Sequence, residues 1–312
     1  MQKEIIGNHA LYCGDCKDII ASIQDKSFDL ILIDPPYGYL KHKLDGAFDE
    51  NFVFAEFKRV LKLDGAIVMF GRGVSFYRRC MLLSELGFAF KEEIIWNKRR
   101  GTSPVSPLMR VHETLAVFGH QNFKIKRTKI PYIQKKEHDL DSMANDINRL
   151  KTALNSPKGM SDLLLFLQNN KNSKKPIRRD RIEVDTLSEH NITVGGTKSG
   201  NRAINTLQSI EFGMSESSII DEPRDHYSTV HPTQKPEGLL IRVINICLTN
   251  PGTIADFFMG SGSTGIAAEK LGHKFVGVEI LPEYFNVAVK RVEHETQKIK
   301  EKHIKIGTSD WE

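Results

Sequence analysis

Thr253-Ile254-Ala255-Asp256-Phe257-Phe258-Met259-Gly260-Ser261-Gly262-Ser263-Thr264-Gly265 is the stretch from which the rest of the chain is read. An apolar run, Thr253 to Phe258, meets a pair of glycines, and a helical pattern over Ser263 to Leu271 follows. Glycines at 260 and 262 let a ligand approach the backbone, and a helix start carries N–H groups without intrahelical partners. The next apolar run, Phe275 to Glu279, ends in a carboxylate about 20 residues further on, the place where dinucleotide folds bind ribose hydroxyls.

By itself this turn fits NAD and a nucleoside cofactor such as S-adenosylmethionine equally well. Its position is more informative, because only one helix, opening at Pro282 with Phe285, Val289 and Val292 on one side, and a tail fit between Glu279 and Glu312. The remaining strands must lie upstream, which predicts a circularly permuted sheet. Upstream, Ala10 to Cys13, Phe28 to Ile33, Ala66 to Phe70, Glu93 to Trp96 and Thr114 to Phe118 are short apolar runs. Helical stretches separate them, such as Phe52 to Leu63, with Asp64-Gly65 as its stop. The alternation predicts an α/β fold built on a parallel sheet.

Residues 121–227 break the pattern, with helical stretches at Asp146 to Leu154 and Asp162 to Leu167 and a polar, glycine-rich segment at Thr193 to Gly200. The expected organisation is a sheet domain of residues 1–120 and 228–297, an inserted module of residues 121–227, and a charged tail of residues 298–312.

Composition narrows the class of protein. Of 312 residues, 40% are hydrophobic and 27% charged, too apolar for a disordered chain and too polar for a membrane bundle. The first twenty residues carry Lys3, Glu4, Asp15, Lys17 and Asp18, so neither a signal peptide nor a spanning helix is expected. Cys13-x-x-Cys16 has no second pair, Cys80 and Cys247 stand apart, and no histidine falls at zinc spacing. Reduced thiols in a cytoplasmic protein, with no metal centre, are the expectation.

A second stretch carries the chemistry. Phe28-Asp29-Leu30-Ile31-Leu32-Ile33 reads as a buried strand and ends in Asp34-Pro35-Pro36-Tyr37. Two prolines remove two backbone donors and stiffen the exit from the sheet. A carboxylate, a carbonyl and an aromatic ring are thereby held at the carboxyl end of a strand, where open α/β sheets bind ligands. Asp34 and the Pro35 carbonyl can accept the two protons of an exocyclic amine on a planar ring, and Tyr37 can stack on that ring.

Asp34-Pro35-Pro36-Tyr37, followed by His231-Pro232-Thr233-Gln234-Lys235-Pro236 and the Gly260-Ser261-Gly262 turn, resembles a β-class amino-DNA methyltransferase, over roughly residues 8–120 and 228–295. The resemblance implies a circularly permuted, Rossmann-like methyltransferase sheet with an inserted target recognition module. It also implies S-adenosylmethionine as cofactor, surrounded by Asp15, Thr233, Lys235, Asp256, Phe257, Gly260, Gly262 and Glu279, and methyl transfer at Asp34, Pro35, Pro36 and Tyr37. Many relatives carry a proline after the aspartate of the glycine turn and a tryptophan soon after the tyrosine of the first motif; here Phe257 follows Asp256, and Lys41 to Asp49 has only Phe48.

The expected activity is methylation of adenine N6 in double-stranded DNA, with the base flipped and the methyl group transferred in line. Cytosine N4 is the alternative, and Asp34 in place of a serine favours adenine. Methylation at cytosine carbon 5 needs a thiolate, typically after a proline, and none of the four cysteines follows one. An NAD-dependent oxidoreductase would leave the Asp-Pro-Pro-Tyr turn without a role. Methylation of RNA or of protein glutamine usually goes with an initial Asn.

The net charge of +5 is unevenly spread. Between residues 96 and 136 stand Lys98, Arg99, Arg100, Arg110, Lys124, Lys126, Arg127, Lys129, Lys135 and Lys136, with Glu113 as the lone acid. Residues 171–181 add a second basic run containing Arg178 and Arg179. Such runs are ordinarily solvated faces, but beside or inside the inserted module they suit DNA phosphates. Arg99, Arg100, Lys124, Lys126, Arg127, Arg178 and Arg179 are the candidate contacts. A homodimer and a cognate restriction endonuclease are compatible partners, and a prokaryotic or phage-type cytoplasm is the expected location.

Overall fold

The computed structural model describes residues 2–37, 48–99, 101, 108–137, 139–155, 199–224 and 234–308. Its strands are β1 (Gln2–Ile6), β2 (His9–Cys13), β3 (Phe28–Ile33), β4 (Leu61–Gly71), β5 (Ala89–Asn97), β6 (His112–Gly119), β7 (Lys129–Ile130), β8 (Met214–Ser215), β9 (Ile219–Asp221), β10 (Thr253–Asp256) and β11 (Lys274–Glu279). The helices are α1 (Cys16–Ser22), α2 (Glu50–Val60), α3 (Gly73–Glu85), α4 (Tyr132–Lys136), α5 (Leu140–Leu154), α6 (Ser199–Phe212), α7 (Glu237–Cys247), α8 (Ser263–Lys270) and α9 (Pro282–Thr308). Among the described residues, no helix is long and apolar enough to cross a membrane.

Two compact units result, one of Met1–Lys126 with Ser217–Glu312 and one of Arg127–Glu216. The first is built on a nine-stranded sheet in the order β1-β2-β11-β10-β3-β4-β6-β5-β9. Its central strands β3 and β4 are buried on both faces, so alternate residues feed two separate cores. Leu30, Leu32, Ala66, Val68 and Phe70 join a cluster with α7, α8 and α9, whereas Ile31, Ile33, Ile67 and Met69 join one with α1, α2 and α3. Full burial of each Leu, Ile, Val, Met or Phe side chain among them contributes about 1.5–3 kcal/mol.

The sheet is mixed rather than wholly parallel. Pairings β2 with β11, β11 with β10, β10 with β3, β3 with β4 and β5 with β9 are parallel, but β6 runs antiparallel to both β4 and β5, and β1 to β2. Parallel strands need a crossover. None is described between β5 and β6, or in the Gly7-Asn8 turn after β1.

Several expected boundaries move. The helix expected over Phe52 to Leu63 ends at Val60, and Asp64-Gly65 falls within β4. The reason is pairing: Leu61 is already opposite Phe28 and Ala66 opposite Leu30, so Lys62 to Gly65 bulges out of the ladder. β10 stops at Asp256, two residues short, because the Asp256 carboxylate accepts from Phe258 N and turns the chain. The expected tail from residue 298 continues α9 as far as Thr308. Residues 121–126 and 217–224 belong to the sheet unit, with Phe123 in its core and β9 paired to β5.

In the Arg127–Glu216 unit, β7 pairs with β8 and α5 packs on α6. Buried Tyr132 donates to Asp146 Oδ2 at 2.9 Å. The helix expected from Asp146 begins at Leu140, and the one expected at Asp162 to Leu167 lies outside the described residues.

Candidate active site

β3 and β10 lie side by side in the sheet, with Ile254 opposite Leu30 and Ala255 opposite Ile31. After β10 the chain crosses to β11 on one side, and after β3 to β4 on the other. The loops leaving the two strand ends therefore part, which opens a crevice between them. A cavity of about 300 Å³ occupies it, lined by Asp34 to Tyr37 after β3, Phe257 to Ser261 after β10, Glu279 to Leu281 at the end of β11, and Gly14 to Cys16 at the start of α1.

The glycine turn is held from below and from the side. Asp256 is buried and accepts from Phe258 N at 3.0 Å and from Thr264 Oγ at 2.7 Å. Burial pushes its carboxyl up to about 7. Gly260 and Gly262 have φ of 51° and 79°, and a Cβ on Gly262 would come within 2.9 Å of the Ala288 Cβ. Glu279 accepts from Gly260 N at 3.0 Å and from Leu281 N at 2.9 Å, and burial raises its pKa. Arg291 of α9 donates to the Ser261 carbonyl at 2.7 Å, a clamp with no signature in the sequence.

Phe257 turns down into the core, stacked on Phe57 at 5.6 Å, while Phe258 meets Phe48 at 4.8 Å on the cavity wall. Asp15 caps α1, accepting from Lys17 N at 2.8 Å, and reaches the cavity edge. Cys16 lies beside it, and burial followed by the Asp15 charge pushes its thiol up to about 12. A thiol so protonated is a poor nucleophile.

At the end of β3, each Asp34 oxygen has a partner. Tyr37 donates its hydroxyl to Oδ1 at 2.8 Å, and Lys235 donates to Oδ2 at 2.5 Å. The Lys235 ammonium also meets Glu113 Oε2 at 3.2 Å, an ion pair off the hydrogen-bonding direction, and lies 4.9 Å from the Phe70 ring centre. Burial would lower the Lys235 pKa, but Asp34 and Glu113 outweigh it and hold it above its ordinary value. On the far side, Glu113 Oε1 accepts from Lys98. Burial opposes ionisation of Glu113, yet Lys235 and Lys98 together keep its carboxyl below the ordinary range.

The proline turn has its own brace. Arg79 of α3, 4% exposed, donates to the Pro36 carbonyl at 2.5 Å and to Glu50 Oε1 at 2.9 Å through Nε. Its guanidinium lies 5.3 Å from the Phe48 ring centre. Sequence reasoning missed Arg79, Glu113 and Lys98 as parts of the site. Arg79 has no motif around it, but Glu113 left a trace as the single acid in a strongly basic stretch.

The expected site residues are thus distributed unevenly. Asp34, Pro35, Pro36, Tyr37, Asp15, Lys235, Asp256, Phe257, Gly260 and Glu279 line one cavity, and Gly262 adjoins it at the start of α8. Thr233 lies outside the described residues. Of the expected DNA contacts, Lys124, Lys126 and Arg127 are exposed, Arg99 is paired with Asp221 at 3.0 Å, and Arg100, Arg178 and Arg179 lie outside the described residues.

Comparison with known proteins gives the family and the fold. A family model described as DNA methylase, of the N6/N4 methyltransferase type, matches residues 28–290. The type II methyltransferase M1.MboII of Moraxella bovis is 28% identical over 292 residues, 88% of this chain and 92% of the relative. The type II methyltransferase M.HinfI of Haemophilus influenzae is 26% identical over 94% of this chain and 71% of its own length. Among solved structures, M1.HpyAVI in its complex with SAM superposes with a TM-score of 0.53 at 20% identity, covering 90% of this chain and 98% of that one. The cytosine-N4-specific PvuII DNA methyltransferase gives 0.53 at 15% identity, over 94% and 93% of the two chains. The fold is a Rossmann-like methyltransferase fold, and the chain belongs to the DNA methylase family of N6 and N4 amino methyltransferases.

Proposed function

We propose that this enzyme transfers the methyl group of S-adenosylmethionine to the exocyclic N6 amino group of adenine in double-stranded DNA. The observation that carries the reading is the shared cavity, on which both the Asp34 to Tyr37 turn and the Gly260 to Glu279 segment open. The strand order, with the Asp34 strand early in the chain beside the late glycine-turn strand, supports reading the sheet as circularly permuted.

The residues present suit the cofactor. Glu279 retains lone pairs for ribose hydroxyls beyond those taken by Gly260 and Leu281. Phe258 and Ile280 offer apolar walls for an adenine ring, Asp15 an acceptor at its edge, and the backbone at Gly260 and Gly262 allows close approach. Asp256 and Phe257 act from beneath by fixing the turn. When bound, S-adenosylmethionine supplies an electrophilic methyl group on a sulfonium.

The protein's own work is orientation and charge. Asp34 and the Pro35 carbonyl accept the two amino protons, which turns the nitrogen lone pair out of conjugation with the ring and toward the methyl carbon. Asp34 then stabilises the positive charge that develops on that nitrogen as the bond to carbon forms and the carbon–sulfur bond breaks to leave a neutral thioether, after which one amino proton is lost to water. The base must leave the duplex at a cost of a few kcal/mol, and stacking on Tyr37 offsets about 1–3 kcal/mol of it. In this reading Arg127–Glu216, with the residues flanking it, is the target recognition module, and Lys124, Lys126 and Arg127 meet phosphates. The type II designation of both relatives supports a place beside a cognate restriction endonuclease.

Asp34 at the first motif position favours adenine over cytosine. Nucleoside mass spectrometry of DNA treated with the enzyme and S-adenosylmethionine tests this. N6-methyladenine is expected, N4-methylcytosine alone would reverse the choice of base, and neither product would remove the proposed activity.

A further inference from the structure

We infer that Glu113 is a positioning residue of the methyl-transfer site, which offsets the charge of Lys235 so that Asp34 faces the target amine as an effective anion. The inference rests on the reading of Asp34 as acceptor of that amine, and it assigns a role to β5 and β6, strands that contribute no expected catalytic group. Four charges alternate in a row inward from the cavity. Asp34 Oδ2 is 2.5 Å from Lys235 Nζ, Lys235 Nζ is 3.2 Å from Glu113 Oε2, and Glu113 Oε1 accepts from Lys98.

The three inner members of the row are well screened from water, while Asp34, with 23% of its side chain exposed, faces the cavity. Side-chain exposure is 10% for Lys235, 14% for Glu113 and 7% for Lys98, and the two ammonium groups lie 4.9 Å and 4.8 Å from the ring centres of Phe70 and Trp96. Strand register builds it: Glu113 on β6 stands opposite Trp96 on β5, and Lys98 follows two residues after that tryptophan. In so dry a setting, charges act on one another far more strongly than in water.

Lys235 alone would cancel Asp34. The positive charge that grows on the amino nitrogen would then meet a neutral pair with an ammonium close behind it. Glu113 divides the ammonium between two carboxylates and restores the negative field at Asp34. Lys98 in turn keeps Glu113 ionised, with Arg224 near enough to act on Lys98 as well. Glu113 touches no substrate atom in this account and works through Lys235.

The test is single-turnover transfer of labelled methyl groups from S-adenosylmethionine to DNA of a methylation-deficient bacterial strain. Calorimetric affinity for S-adenosylmethionine and the melting temperature are measured alongside. Glu113→Gln should slow transfer roughly 10- to 100-fold, less than loss of a direct transition-state contact, while cofactor affinity stays within about twofold. Glu113→Asp, which keeps the charge, should recover to within about threefold of wild type, and Lys98→Met/Glu113→Gln, which removes one charge of each sign, should recover part of the loss. A wild-type rate in Glu113→Gln, a Glu113→Asp variant as slow as Glu113→Gln, or a double variant no faster than Glu113→Gln would overturn the inference. Should Glu113→Gln not fold, Glu113→Asp decides against wild type, and a loss beyond about threefold rejects the charge role. Wild-type protein that methylates no base would instead overturn the proposed function, so the two failures are distinguishable.

Discussion

Asp256 retains a proton that an exposed aspartate loses near pH 4. Its ordinary value of 3.8 rises to about 7, chiefly through burial, because its two hydrogen bonds from Phe258 and Thr264 do not replace full hydration. The native state therefore binds a proton that the unfolded chain has released. The stabilisation is complete below the unfolded value and is lost as pH rises through about 7. Asp256→Asn cannot titrate, so the stability of wild type relative to this variant should fall by about 3–4 kcal/mol between pH 4 and 8. Thermal melts of both proteins across that range check it, and parallel curves would refute it. Asp34 lines the same cavity but is more open to it, with 23% of its side chain exposed against a buried Asp256. Asp34→Ala should reduce methyl transfer by a factor of about 10³ while cofactor affinity by calorimetry largely persists; retained turnover would show that the amine binds elsewhere.

At the scale of elements, the site is a set of strand ends fastened by helices. Proline turns cannot brace themselves through backbone donors, and α3 supplies the brace through Arg79 on the Pro36 carbonyl. Arg79→Ala should cost about 1–3 kcal/mol of stability by leaving that carbonyl without its donor. Glu50 would still have Arg78 at 2.7 Å. Because the loosened turn carries Tyr37 and Asp34, kcat should fall about tenfold with cofactor affinity unchanged, a split that steady-state kinetics and calorimetry resolve. The glycine turn is fastened likewise, by Arg291 of α9 on Ser261. Both arginines sit on helices whose sequences show only an ordinary amphipathic pattern. Position on a helix face is readable from spacing, but the partner across the gap is set by another element entirely.

For the whole molecule, a net charge of +5 understates the basic run of residues 96–136. DNA binding should weaken steeply with salt, and replacing Lys124, Lys126 and Arg127 by Ala should lower the log–log salt slope by up to about 3; an unchanged slope in filter binding or fluorescence anisotropy would move the phosphate contacts elsewhere. Not all of the basic stretch is available for such contacts, since Lys98 is buried against Glu113 and Arg99 is tied to Asp221. What was local in the chain was legible by itself: the β3 run with its proline stop, the glycine turn before α8, the carboxylate ending β11, and the interruption of the βα pattern. Each depends on periodicity, missing donors or backbone freedom, which neighbouring residues dictate. The antiparallel placement of β6, the Leu61 start of β4, β9 at the sheet edge, and the row from Asp34 through Lys235 and Glu113 to Lys98 were decided only by tertiary structure. These depend on which strands pair and which charges are left together without water, and residues as distant in sequence as Asp34 and Lys235 acquire that relation only when the sheet closes the gap between them.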